Sequence, residues 1–244
     1  MPEHLESEFT MPSSLQAQIK QAFWLGELNV KTRALGFIIY DYIKRFLDII
    51  FSVMLLVILS PLLAITALLV KVDSTGPVLF RQERVGRKGR KFMILKFRSM
   101  VAENDIHDST CTDKYTRIGK FLRRTSIDEL PQIFNVLVGQ MSFIGPRPWV
   151  PEYWDNMNEV ERGRGRVRPG ITGLAAAKGR NDLSVFQKIS YDLEYVRNYS
   201  FVQDVKIFFL TIRTVVKGGE AASAGKTRVH NDIDDLKNRR HILA

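Results

Sequence analysis

Residues 49–70, IIFSVMLLVILSPLLAITALLV, run 22 positions without a charge and carry a proline at their centre. As a helix this run is about 33 Å long, enough to enter or cross the hydrocarbon layer of a membrane. It begins too far along the chain for a plain signal peptide, and no cleavage pattern follows Ser60-Pro61. Pro61 removes one helical hydrogen bond and crowds the carbonyl four residues back, so a sharp bend is expected there. The Ser60 hydroxyl can satisfy the disturbed backbone. Both flanks are basic, with Lys44 and Arg45 before the run and Lys71, Arg81, Arg84, Arg87 and Lys88 after it. The positive-inside rule therefore gives no orientation. A proline-kinked single span and a helix-break-helix that enters and leaves by one face both remain open.

The 244 residues suffice for one domain with appendages. The net charge of +10 suits nucleic acid, anionic lipid or a phosphate-rich substrate, and charge alone does not choose among them. Cys111 is the only cysteine, so no intrachain disulfide forms, which fits a reducing compartment. The four histidines, at 4, 107, 230 and 241, lack metal-ligand spacing.

Residues 1–14 are polar. Residues 15–45 mix apolar and basic positions with Trp24, Phe37, Tyr40 and Tyr42, and read as an interfacial helix leading into the apolar run. Pro77–Val85 and Arg90–Phe97 read as strands joined by a turn at residues 86–89. Residues 115–124 are predicted helical and basic. Leu130–Val138 is predicted as an apolar helix stopping near Gly139, and Ser142–Pro151 as a proline-rich loop. Residues 183–199 and 201–216 read as amphipathic helices; the second suits either a core or a membrane surface. From Gly218 the tail is polar and no structure is assigned to it.

The sharpest chemical signal is RRTSIDELP, residues 123–131. Ser126 and Glu129 have capping-box spacing, so simple capping is one reading. The other is catalytic: adjacent Asp128 and Glu129 at a positive helix end, which would keep Asp128 ionised. Cationic residues surround these acids in sequence. Gln82, Arg84, Lys96 and Arg98 flank the hairpin; Arg123 and Arg124 precede the acids. Arg147 lies in a loop stiffened by Pro146 and Pro148, Arg168 opens RPGITG, and Arg180-Asn181 follow. Arginines on fixed loops beside a carboxylate pair suggest an anion site. No Walker, GxGxxG or GxSxG motif is present, which disfavours P-loop ATPases, dinucleotide dehydrogenases and typical serine hydrolases. A phosphate-handling site with carboxylates and a divalent metal remains.

The ordered segments KRFLDIIFSVMLLVILSPLL, GPVLFRQERVG, FMILKFRSM, LRRTSIDELPQIFNVLVGQMSFIGPRP and RPGITGLA resemble the bacterial sugar transferase family, the monotopic phosphoglycosyl transferases, over roughly residues 41–217. The resemblance implies an α-rich α/β membrane-associated fold. An N-terminal extension (1–40) with an interfacial helix would precede a re-entrant membrane helix (41–71) broken at Ser60-Pro61. A compact cytoplasmic catalytic domain (72–217) with interfacial amphipathic helices and a polar tail (218–244) would follow. It implies location at the bacterial inner membrane, a UDP-sugar donor, a polyprenyl (undecaprenyl) phosphate acceptor, contact with membrane lipid and Mg²⁺ on Asp128 and Glu129. Asp128 would attack the donor diphosphate, form a phosphosugar–aspartyl intermediate and release UMP. Lys96, Arg98, Arg123, Arg147, Arg168, Arg180 and Asn181 would bind substrate, and a homodimer is compatible. The chain departs from the family after RPGITG, where Leu174, Ala175 and Ala176 stand in place of the frequent Trp, Ala and Gln.

Three competing readings are a non-catalytic membrane scaffold of the same fold, a nucleic-acid binder, and a one-step transferase in which Asp128 only holds metal. The intact acid pair weighs against the first. The apolar run and the lack of a nucleic-acid motif weigh against the second, so no nucleic-acid partner is expected.

Overall fold

The computed structural model describes residues 30–100, 115–179, 183–217 and 236–237. The first element, α1 (Val30–Asp73), absorbs the apolar run and the amphipathic stretch before it into one 44-residue helix. Residues 15–29 of the expected interfacial helix lie outside the described residues. The helix continues through Pro61, so the expected interruption is not a loss of helix. Local chemistry accounts for this: the Ser60 hydroxyl donates at 2.8 Å to the Val57 carbonyl, the acceptor that a backbone N–H at position 61 would have used. Leu35–Asp73 is long and apolar enough to cross a membrane, by length and composition. Its side chains are largely uncovered, among them Phe46, Val57, Ile58 and Leu68.

Two stretches of α1 dock. In the first, Lys44, Asp48 and Ser52, spaced one turn apart, are buried against the rest of the chain. Lys44 and the Tyr40 hydroxyl both donate to Asp204, and Asp48 accepts from the Ser142 hydroxyl at 3.1 Å. Arg45 donates to the carbonyls of Val136 and Leu137. In the second, Val70 packs with Phe97 and Leu122.

Strands β1 (Leu79–Val85) and β2 (Lys91–Phe97) form the expected antiparallel hairpin, turned through Lys88 and Gly89 at positive φ. Alternation puts Gln82, Arg84 and Lys96 on the same face as Phe92 and Ile94. That face packs Phe92 and Ile94 with Val136 and Met141. Helix α2 (Arg117–Thr125) is capped by the Thr116 hydroxyl and ends at Ser126 in the left-handed region. A single 3₁₀ turn (Ile127–Glu129) leads to α3 (Gln132–Leu137), shorter than the predicted Leu130–Val138.

The segment read as a loop from Ser142 contains β3 (Ser142–Ile144), paired in parallel with β4 (Gly170–Thr172). Three-residue strands are too short for a period-two pattern to be legible. Gly170 permits the close approach, since a Cβ there would lie 2.1 Å from the Gly145 nitrogen. Short helices α4 (Pro151–Asp155), α5 (Glu159–Arg162) and α6 (Leu174–Lys178) precede α7 (Val185–Arg197), which starts with a Ser184/Gln187 capping box, and α8 (Phe201–Lys217). Ile144, Val167, Leu174, Tyr195 and Ile207 form one core cluster. Leu174 is thus a core residue, which explains an aliphatic side chain at that departure from the family pattern. Helix α8 buries Asp204 and Ile207 but leaves Phe201, Val202, Phe208 and Phe209 exposed. In the polar tail, to which the sequence assigns no structure, Leu236 is fully buried with Trp149, Met157, Val185 and Ile189. The architecture is a helix-rich α/β unit on one long apolar helix.

Candidate active site

The left-handed Ser126 ends α2 and turns the chain so that Asp128 and Glu129 sit on the 3₁₀ turn beside β2. Ser126 makes no side-chain cap, so the capping box is not formed. The Glu129 carboxylate instead accepts from Lys96 Nζ at 2.7 Å and from Arg147 Nη2 at 2.9 Å, both on Oε1. Lys96 reaches it from β2, and Arg147 from the loop after β3. That loop is tied to the hairpin by the Val85 N–H, which donates to the Trp149 carbonyl at 2.8 Å.

The two acids are unequal. Burial alone would raise Glu129, but Arg147 and Lys96 outweigh it and hold the carboxyl down at about 2. Asp128 is buried and pushed above the usual aspartate value, first by desolvation and then by the Glu129 charge, with Lys96 and Arg123 opposing. The helix-end stabilisation expected for Asp128 is therefore outweighed by burial. Lys96 is lowered by burial. Among the described residues Asp128 has no ion pair, while Glu129 has two. Pushing two neighbouring carboxyls apart in this way separates their roles.

The structure sorts the expected cationic residues into groups. Lys96 and Arg147 meet the dyad. Arg123 lies one turn upstream, exposed, with its guanidinium carbon 5.0 Å from the Tyr115 ring centroid, and its charge acts on Asp128. Arg98 does not join them. Its guanidinium is buried and donates to the carbonyls of Thr75, Ser74 and Val70, closing the end of α1. The Lys-Phe-Arg spacing would suggest one face, but Arg98 lies beyond the last strand residue and turns to the orphan carbonyls of α1. Arg168 also lies elsewhere: it donates to Asp41 at 3.1 Å, as do Arg87 and the Tyr199 hydroxyl. Arg180 and Asn181 lie outside the described residues.

Arg84 joins the site from β1. It bonds the Gln82 side chain and the Pro148 carbonyl, and burial together with the Arg147 charge lowers it to about 10. The sequence places it in the cationic set around the acids but not among the substrate-binding residues that the family resemblance implies. The register opposite Phe92 is the signal that places it. Arg164 and Asp192, buried behind the Arg147 loop, carried no sequence signal.

Asp128 and Glu129 are the adjacent carboxylates that would hold a magnesium ion, its shell completed by diphosphate oxygens and water. Among the described residues no group of three or more His, Cys, Asp or Glu could hold a metal unaided.

The family model for bacterial sugar transferases matches residues 39–218. A UDP-glucose:undecaprenyl-phosphate glucose-1-phosphate transferase of Klebsiella pneumoniae is 47% identical over 181 residues, which are 69% of this chain and 39% of that protein. A UDP-N-acetylgalactosamine-undecaprenyl-phosphate N-acetylgalactosaminephosphotransferase of Aeromonas hydrophila is 43% identical over 74% of this chain and 45% of its own length. A UDP-glucose:undecaprenyl-phosphate glucose-1-phosphate transferase of Caulobacter vibrioides is 38% identical over 72% of this chain and 70% of its own. The match thus spans about two fifths of the first of these relatives. With a family match across most of its length, the chain belongs to the bacterial sugar transferases.

Proposed function

We propose that this protein moves a sugar-1-phosphate from a UDP-sugar to a polyprenyl phosphate such as undecaprenyl phosphate at the cytoplasmic face of the bacterial inner membrane. The observation that carries this reading is the unequal dyad. Glu129 stays anionic between two cations, which leaves Asp128 the more basic carboxyl and the better nucleophile. An Asp128 oxygen forms a bond to the phosphorus that bears the sugar. The P–O–P bridge breaks and UMP leaves with the bridging electrons. An oxygen of the lipid phosphate then attacks the same phosphorus and frees the Asp128 carboxylate. Arg147, Arg84 and Arg123 supply fixed positive charge for the phosphate oxygens. Magnesium held by the two acids would neutralise further charge on those oxygens.

The lipid acceptor requires the site to sit at the membrane surface, and α1 supports a re-entrant arrangement. On a straight axis Arg45 and Val70 would stand about 38 Å apart. Yet Arg45 bonds Val136, adjacent Asn135 bonds the Leu95 N–H, and Val70 packs on Phe97 two residues further along β2. Both arms return to one small unit, and the proline lies midway between them. The exposed phenylalanines of α8 suit burial in the same leaflet.

The relatives act on different sugars, so the donor is found by assay. Purified protein with Mg²⁺, undecaprenyl phosphate and a panel of UDP-sugars should release UMP with at least one donor, and Asp128→Asn should abolish that release. Turnover by Asp128→Asn equal to wild type would contradict the assignment.

A further inference from the structure

Arg147 is gripped from behind. Arg164 sits in the 3₁₀ turn Gly163–Arg166, and it and Asp192 of α7 are both almost wholly buried. Arg164 donates twice to one Asp192 oxygen, from Nε at 3.0 Å and from Nη2 at 2.6 Å. The same Nη2 donates at 2.6 Å to the backbone carbonyl of Arg147. The guanidinium carbon lies 4.3 Å from the centroid of the Trp149 ring, two residues further along the loop. A buried ion pair by itself gives little stability, because an apolar pair of similar size would serve as well or better. What an apolar pair could not do is hold the Arg147 carbonyl. Prolines at 146 and 148 already restrict the backbone on either side. Fixing that one carbonyl then sets the peptide plane and the direction in which the Arg147 side chain leaves for Glu129.

We infer that Arg164 is a positioning residue for the site: with Asp192 as its counterion and Trp149 as its platform, it orients Arg147 onto the Glu129 carboxylate. The inference rests on the transferase reading for its kinetic consequence. Lysine cannot reproduce the fork that serves two acceptors and one ring together. Arg164→Lys should therefore lower kcat/KM at least about tenfold, the scale of one lost hydrogen bond between a charged donor and its acceptor. In an Arg147→Ala background the same change should cost less than about twofold, because the residue it positions is gone.

Removing Arg164 alone strands a buried carboxylate, so the charge-neutral pair Arg164→Met with Asp192→Asn is the second variant. It should stay folded by thermal unfolding, lose activity as Arg164→Lys does, and exchange backbone amides faster than wild type over residues 145–150. Equal losses from Arg164→Lys in both backgrounds, or Arg147→Ala turning over like wild type, would overturn the inference. So would unchanged exchange in the folded pair variant. A wild-type protein that transfers no sugar would sink the transferase reading alone, and amide exchange would then decide the positioning.

Discussion

Lys96 Nζ lies 2.7 Å from Glu129 Oε1, bridging strand β2 of the hairpin to the turn that carries the acids. This contact, shared with Arg147 on the same oxygen, makes Glu129 the anchored member of the dyad and, on the proposed function, leaves Asp128 as the nucleophile. Lys96→Met and Arg147→Ala should each reduce kcat/KM by about ten- to a hundredfold. Their cost in stability should stay within about 1 kcal/mol for Arg147, whose side chain is half exposed. Steady-state kinetics beside thermal unfolding separates the two effects; a loss of activity that tracks loss of fold would contradict the assignment.

Asp128 should be a stability liability. Its carboxyl is raised in the folded protein, so its ionised form opposes folding at pH above the folded value, and the cost fades as pH falls through that value towards 3.8. Asp128→Asn should therefore raise Tm by a few degrees at pH 7.5 while abolishing transfer, and the gain should shrink on acidification. Glu129 has the opposite sign. Its depressed carboxyl stabilises the fold above 4.5 and loses that contribution as pH falls towards about 2. Glu129→Gln should lower Tm at neutral pH, and the difference from wild type should narrow at low pH. A Tm for Asp128→Asn below wild type at pH 7.5 would count against the picture.

Arg98 should behave as a structural residue. Arg98→Ala leaves several carbonyls at the end of α1 without donors and should cost about 2 to 3 kcal/mol. The protein that remains folded should keep its kcat/KM within a factor of a few. A large fall in kcat/KM at unchanged Tm would return Arg98 to the substrate ligands.

The membrane arrangement predicts that reporters placed before α1 and after Lys217 face the same compartment. Cysteines introduced at residue 20 and in the tail, in the Cys111→Ser background, should both resist an impermeant maleimide in intact cells stripped of outer membrane. Both should label in inverted vesicles. Labelling of only one in each preparation would establish a simple span.

Leu236 closes the cluster behind Trp149. Leu236→Glu buries a charge there and should lower stability by about 2 kcal/mol or more, seen as an earlier unfolding transition. An unchanged transition would show that the tail contributes nothing to that cluster.

Much of the fold was legible because its signals are local and periodic. The apolar run, the hairpin with its glycine turn, and the amphipathic α7 are each continuous stretches whose pattern is complete in itself. The parallel pair β3–β4 did not, because three residues cannot display a period. The acids of the dyad were legible as a pair, but their asymmetry was not. It depends on Lys96 and Arg147 arriving from 33 and 18 residues away. Arg98 and Arg168 show the converse: an arginine near a motif says nothing about which carbonyl or carboxylate its fork will find. Arg164 and Asp192, 28 residues apart, become a pair only when the 3₁₀ turn meets α7.

The central claim is that Asp128 carries the phosphosugar covalently. Wild-type protein incubated with its UDP-sugar and Mg²⁺, without lipid acceptor, should gain the mass of one sugar phosphate on the peptide containing Asp128. It should release a matching amount of UMP and lose the adduct when undecaprenyl phosphate is added. Rapid turnover with acceptor present, but neither adduct nor acceptor-independent UMP without it, would contradict the claim and favour direct transfer.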